Sequence, residues 1–306
     1  MNAEIFLTPF KSRLIEQGYS EITIKGYLYD LNHFFRWVSE MHTDAIDVKD
    51  VSDADLRAYR QELINVRRQK SASVNRRLQA IKSFFTWATQ TNAISKNSAQ
   101  GVRFLKKKPP LKPLALRKSE VHALLRVASS SPHRLSDRNS ALLQLMLQAG
   151  LRVGEVVKLQ YRDITINQRS GAVRIYETKG FKEREVPLNS SARKALSQYI
   201  ESRENSIQLE DPLFITKQGK APTVRALQLV IMNLGRRANI NRIRVTPHTL
   251  RHTFATNFLH ANPGNLVELA MLLGHESLDT TAIYTKASRE KLEQGVEGSE
   301  INIYDD

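Results

Sequence analysis

The sequence contains no cysteine, which excludes a disulfide framework, a thiolate metal site and a cysteine nucleophile. No apolar stretch approaches the roughly 20 residues of a membrane span. The opening MNAEIFLTPF carries Glu4 and has no signal-peptide core, so a cytoplasmic protein with no membrane partner is expected. No HExxH pattern, internal repeat or low-complexity tract occurs. Acidic charge is also scarce, with 31 Asp+Glu against 46 Lys+Arg and a net charge of +15. A balance so far from neutral favours a polyanionic partner, and nucleic acid is the first candidate.

The positive charge is concentrated between residues 106 and 285, which hold 28 basic and 14 acidic side chains. With 306 residues the chain has room for two domains. Residues 1 to 105 read as helices alone, because apolar residues recur at helical spacing in Phe6, Phe10 and Leu14, in Leu31, Phe34, Phe35 and Val38, and in Leu78, Ile81, Phe84 and Phe85. Ser20, Ser52 and Ser71 or Ser73 are the expected helix starts. The run Lys106 to Pro113 places three prolines among four lysines, which breaks any helix and predicts an extended basic linker over 106–113. From 114 to 285 helices dominate around a strand insert. Val173 to Tyr176 and Arg184 to Leu188 predict a hairpin with Gly180 near its turn, and Ile164 to Ile166 supply a third strand. Residues 286–306 form an acidic tail. The expected fold class is mainly α with a small antiparallel β-sheet.

Several short patterns carry chemistry. Gly150 breaks the chain before a new helix, with Arg152 in its first turn and Glu155 three residues on, which puts a guanidinium at a helix N-terminus where anions bind. Thr246-Pro247 opens another helix, on which His248 and Arg251 share a face and His252 turns aside. His275 follows Gly274, a predicted helix C-cap. The Arg152–Glu155 spacing has an ordinary reading as a surface pair and His275 as a surface histidine, and Tyr284, beside Ile283, reads equally as core packing. The i, i+4 pair His248 and His252 also permits zinc in principle, but the arginine between them opposes a dication, so no metal is expected.

Taken together and in this order, Gly150-Leu151-Arg152-x-x-Glu155, a lysine-bearing hairpin, His248-x-x-Arg251, Leu273-Gly274-His275 and Tyr284 resemble the signature of the tyrosine recombinases, or phage-type integrases. The segments His252 to Thr256 and Leu273 to Tyr284 look very like the Xer-type members, and transposon-encoded resolvases and integrases belong to the same resemblance. The resemblance implies an N-terminal helical core-binding domain of SAM-like type over 1–105, a mixed α/β catalytic domain over 114–285, and a tail that docks on a neighbouring protomer.

It also implies the chemistry. Tyr284 is the nucleophile of a 3′-phosphotyrosine intermediate, Arg152 and Arg251 hold the non-bridging oxygens, and His248 and His275 serve acid/base or phosphate-binding roles. Lys179 protonates the leaving 5′-oxygen, with Lys182 in reserve, and Glu155 supports. No cofactor is needed, because the covalent link conserves the bond energy. The implied partner is duplex DNA with inverted core elements, bound by a homotetramer that is a monomer or weak oligomer when free, with accessory sites or proteins allowed. Arg67, Arg68, Lys70, Arg76, Arg77, Lys106, Lys107 and Lys108 are the expected DNA contacts. A mobile-element role is favoured from the long acidic tail, with chromosome-dimer resolution, a type IB topoisomerase and a non-catalytic DNA-binding module as alternatives.

Overall fold

The computed structural model describes residues 4–42, 47–106, 114–130, 133–176, 183–203, 207–274 and 281. The chain divides into two compact units, Met1–Pro109 and Pro110–Asp306.

The first unit is built from α1 (Glu4–Glu16), α2 (Glu21–Met41), α3 (Asp53–Gln61) and α4 (Ser71–Gln90). Ser20 caps α2 by accepting from the Thr23 N–H, and Ser52 with Asp55 forms a capping box at α3. Helix α4 begins differently from expectation, with Lys70 at the cap and no side-chain cap hydrogen bond. The apolar stripes of α1, α2 and α4 meet in a core of Phe10, Leu14, Leu31, Phe34, Leu78, Ile81, Phe84 and Phe85. The Phe10 and Phe84 rings meet edge-on at 84° with centroids 5.4 Å apart, an arrangement their quadrupoles favour. Two opposite charges, Asp30 and Arg77, are buried in this unit. Asp30 is fully buried and pairs with Arg76 and Arg77, and burial raises its pKa against the pull of both guanidinium groups.

The second unit comprises α5 (Lys118–Ser129), α6 (His133–Ala149), α7 (Val153–Lys158), β1 (Ile164–Ile166), β2 (Gly171–Tyr176), β3 (Glu183–Pro187), α8 (Ser190–Glu201), α9 (Val224–Arg237), α10 (Pro247–Ala261) and α11 (Leu266–Leu273). Leu142, Leu143, Leu145 and Met146 of α6 are all buried, as suits a helix surrounded by others, and α6 packs against α5, α8 and α10. The three strands form one antiparallel sheet in the order β1-β2-β3, with Val173 opposite both Ile164 and Val186. Val173, Ile175 and Val186 point into the core while Arg174 and Tyr176 stay outside, the period-two alternation of a half-buried sheet. By the same alternation Arg184 shares the inward side with Val186, at the end of β3 that packs against α11.

The start of this unit is fastened to α10. The Leu116 N–H donates to Thr253 Oγ1 at 2.9 Å, and that hydroxyl donates to the Thr249 carbonyl at 2.8 Å. Arg242 holds Glu120 and the Ala115 carbonyl from the loop before α10.

Candidate active site

Gly150 directly follows α6 with φ +63°, a left-handed conformation that glycine adopts without the Cβ penalty. A Cβ there would lie 2.3 Å from Phe254 Cδ1 and 2.9 Å from Leu273 Cδ2. The tight approach brings the α6–α7 junction against α10 and α11. It also delivers Arg152, which proves to be the N-cap of α7 rather than a member of its first turn. The Arg152 N–H donates to Glu155 Oε2 at 2.7 Å and its Nη1 to Glu155 Oε1 at 2.9 Å.

Helix α10 opens with Thr246 as N-cap and Pro247 in the first turn, where a missing N–H costs nothing. It presents His248 at the surface and Arg251 below it, 4% exposed. His252 does not turn aside as expected. Its ring lies 4.0 Å from that of His248, edge to face, because an i, i+4 spacing stacks side chains on one helical face. Burial of part of the His248 ring, followed by the charge of Arg251, lowers its pKa below 6.5. The imidazole is therefore largely neutral near pH 7 and able to accept a proton.

Helix α11 closes on Gly274 in the left-handed conformation, φ 62°, as expected of a C-cap. Its last carbonyls lack intrahelical donors, and three guanidinium groups supply them in succession. Arg184 Nε donates to the Leu272 carbonyl at 3.0 Å, Arg251 Nη2 to Leu273 at 2.7 Å, and Arg152 Nη2 to Gly274 at 2.7 Å. Cations at a helix C-terminus also complement its dipole. Arg251 further donates to the Gly150 carbonyl at 2.8 Å, and Arg184 Nη2 donates to Glu155 Oε2 at 2.9 Å. Burial pushes the Glu155 pKa up, but the Arg184 hydrogen bond and charge, then Arg152, outweigh it and hold the carboxyl below its ordinary value.

Arg152, His248 and Arg251 line one cavity of ≈ 520 Å³, together with Arg225 and Gln228 of α9 and with Arg244. Arg225, Gln228 and Arg244 are functional candidates absent from the sequence reading. The signal for the two arginines was the basic charge of 106–285, which gives no address by itself, and Gln228 had none. Arg184 was likewise read only as a strand residue, although its parity with Val186 marks it as inward. Among the described residues no three His, Asp or Glu side chains come together as metal ligands. Lys179, Gly180, Lys182, His275 and Tyr284 lie outside the described residues, as do Lys107, Lys108 and the tail.

The expected DNA contacts of the first unit divide by burial. Arg68 and Lys70 are exposed, as is Lys106. Arg76 is half exposed while bonding Asp30. Arg67 bonds Glu62 at 3.3 Å and donates to His33 Nε2 at 2.9 Å. Arg77, 9% exposed, turns inward to Asp30 and the Tyr29 ring, which makes it a framework cation in this structure instead of the surface contact expected.

The model of the phage integrase family matches residues 115–291, and that of the phage integrase N-terminal SAM-like domain matches residues 7–92. The tyrosine recombinase XerD of Ralstonia nicotianae is 34% identical over 284 residues, covering 91% of this chain and 88% of the relative. XerC of Vibrio parahaemolyticus is 34% identical over 282 residues, covering 91% and 87%. Among solved structures, the XerH site-specific recombinase bound to its difH substrate superposes with a TM-score of 0.76 at 22% identity, over 95% of this chain and 85% of that one. The Tn1549 transposon integrase in complex with a circular intermediate DNA gives 0.74 at 18% identity, over 96% and 99%. The chain belongs to the phage integrase family and is a Xer-like tyrosine recombinase, an enzyme of site-specific DNA recombination.

Proposed function

We propose that this protein cleaves and rejoins duplex DNA through Tyr284, with Arg152, Lys179, His248, Arg251 and His275 as the catalytic set and Glu155 as support. The observation that carries this reading is the convergence of Arg152, His248 and Arg251 on one cavity walled by further arginines. The Tyr284 hydroxyl attacks the scissile phosphorus, the bond to the 5′-oxygen breaks, and Lys179, or Lys182 in its place, donates the proton that leaves a free 5′-hydroxyl. Neutral His248 takes up a proton or holds a phosphate oxygen. Arg152 and Arg251 stabilise the added charge on the non-bridging oxygens, the work that metal ions do in other phosphoryl transfers. Reversal by an incoming 5′-hydroxyl rejoins the strand, so no cofactor enters.

The partner is duplex DNA with two inverted core elements, gripped by the helical domain over 1–105 and the catalytic domain over 114–285, joined by the 106–113 linker. Four protomers assemble on paired sites from monomers or weak oligomers. The tail, residues 286–306, docks on a neighbour. Exposed Arg68, Lys70 and Lys106, with Lys107, Lys108 and half-exposed Arg76, suit phosphate contacts, as do Arg225 and Arg244 beside the cavity. For the cellular role, the XerC and XerD relatives favour chromosome-dimer resolution over the mobile-element role suggested by the tail. The transposon integrase likeness, at 18% identity, carries fold alone.

The test selects bound duplexes from a random-sequence pool, nicks them near the centre, and compares wild type with Tyr284→Phe in EDTA on a denaturing gel. A covalent band from wild type alone is expected. Binding without any adduct would instead favour a DNA-binding module.

A further inference from the structure

Arg184 stands apart from the catalytic set, yet it bonds two of the parts that hold that set together. We propose that Arg184 is a positioning residue for strand cleavage, acting through Glu155 on Arg152 and through the Leu272 carbonyl on the end of α11. The inference rests on the reading of Arg152 as a phosphate-binding group.

The geometry makes one guanidinium the joint between three elements. Arg184 sits on β3 with a side chain only 12% exposed. Its Nε reaches the Leu272 carbonyl at 3.0 Å and its Nη2 reaches Glu155 Oε2 at 2.9 Å. That carboxylate oxygen also accepts the Arg152 N–H, and its sister oxygen accepts Arg152 Nη1. Arg184 therefore balances the charge of a carboxylate whose other task is to orient Arg152. Without it, Glu155 is a mostly buried carboxyl with one cation fewer, its pKa rises, and its hold on Arg152 weakens. The same loss leaves the Leu272 carbonyl without this donor at the helix end from which the chain runs directly into His275. A fixed planar fork serves two acceptors in different directions at once, whereas a lysine ammonium on a flexible stem serves one well.

Full-length wild type, Arg184→Lys, Arg184→Gln, Arg152→Ala and the double variant Arg152→Ala with Arg184→Gln are compared on one nicked duplex. Affinity is read by gel shift and cleavage by single-turnover adduct formation. Because small displacements of reacting groups are costly in rate, Arg184→Gln is expected to slow cleavage by about 10- to 100-fold while affinity stays near wild type. Arg184→Lys should recover part of the rate. The double variant should cleave about as slowly as Arg152→Ala alone, since Arg184 acts largely through Arg152.

Wild-type cleavage by Arg184→Gln, or a loss confined to affinity, would overturn the proposal. So would fully multiplied losses in the double variant, which would mean that Arg184 does not act through Arg152. If Arg184→Gln fails to fold, Arg184→Lys decides by the same two readouts, and failure of both to fold makes Arg184 a scaffold residue only. A wild-type protein that forms no adduct counts against the active-site reading itself, whereas an active wild type with unaffected Arg184 variants counts against this inference alone.

Discussion

Replacing Gly150 by alanine should damage the active site through the backbone. Two costs add. The residue has φ +63°, where an L side chain loses about 1–2 kcal/mol. The new Cβ would also lie 2.3 and 2.8 Å from two carbons of Phe254 and 2.9 Å from one of Leu273, and overpacking of this kind costs about 1–3 kcal/mol. The total is roughly 2–5 kcal/mol. Phe254 lies three residues beyond Arg251 on α10, so relief of the clash moves the arginine away from the Gly150 carbonyl it holds at 2.8 Å. Stability and cleavage should therefore fall together.

Urea unfolding offers a clean assay, because both tryptophans, Trp37 and Trp87, lie in the first unit. Their fluorescence follows that unit, while far-UV circular dichroism follows both. Gly150→Ala should shift the dichroism transition and leave the fluorescence transition in place. Gly154→Ala is the control, since a Cβ there meets nothing within 4 Å and the change should be neutral or stabilise by about 0.5 kcal/mol. A Gly150→Ala protein that unfolds and cleaves like wild type would refute the reasoning.

Other substitutions probe the framework and the chemistry. Asp30→Ala strands Arg77 without its buried partner and should cost about 3 kcal/mol, seen as a lower tryptophan-fluorescence midpoint; an unchanged midpoint would mean that the pair contributes nothing. Thr253→Val keeps the shape but leaves the Leu116 N–H unsatisfied, at a cost of about 1–3 kcal/mol, and thermal melts that match wild type would argue against the strap onto α10. The His248 pKa is lowered, so its neutral form persists as pH falls past 6.5 and the acid limb of the cleavage profile should lie below that value. Protonation on folding is disfavoured there, so the same group costs stability as pH drops below the unfolded value. An acid limb above 6.5 that His248→Gln abolishes would contradict this assignment.

Much of the fold was legible because its signals are local. Ser20, Ser52 and Thr246 cap helices where hydroxyl and carboxylate chemistry requires, the 164–166, 173–176 and 184–188 runs alternate as strands, and Gly150 and Gly274 take the left-handed turns that end helices. Lys70 caps α4 with no side-chain bond, and no residue pattern signals such a start. Burial was the harder quantity. Arg77 and Arg68 look alike in sequence, yet a fully buried Asp30 from another helix draws one inward. The meeting of Arg184, Arg251 and Arg152 on consecutive carbonyls of α11 joins residues up to 122 positions apart, a tertiary fact that no local spacing encodes. His252 stacks on His248 as the i, i+4 spacing of the pair dictates, so the expectation that it turns aside was at odds with the helix geometry itself.

In the proposed mechanism one tyrosine carries the DNA strand. Protease digestion of the covalent adduct followed by peptide mass mapping tests it directly. A single modified peptide in which Tyr284 bears a nucleotide through its 3′-phosphate is expected, and a link to any other residue, or through a 5′-phosphate, would contradict the proposed mechanism.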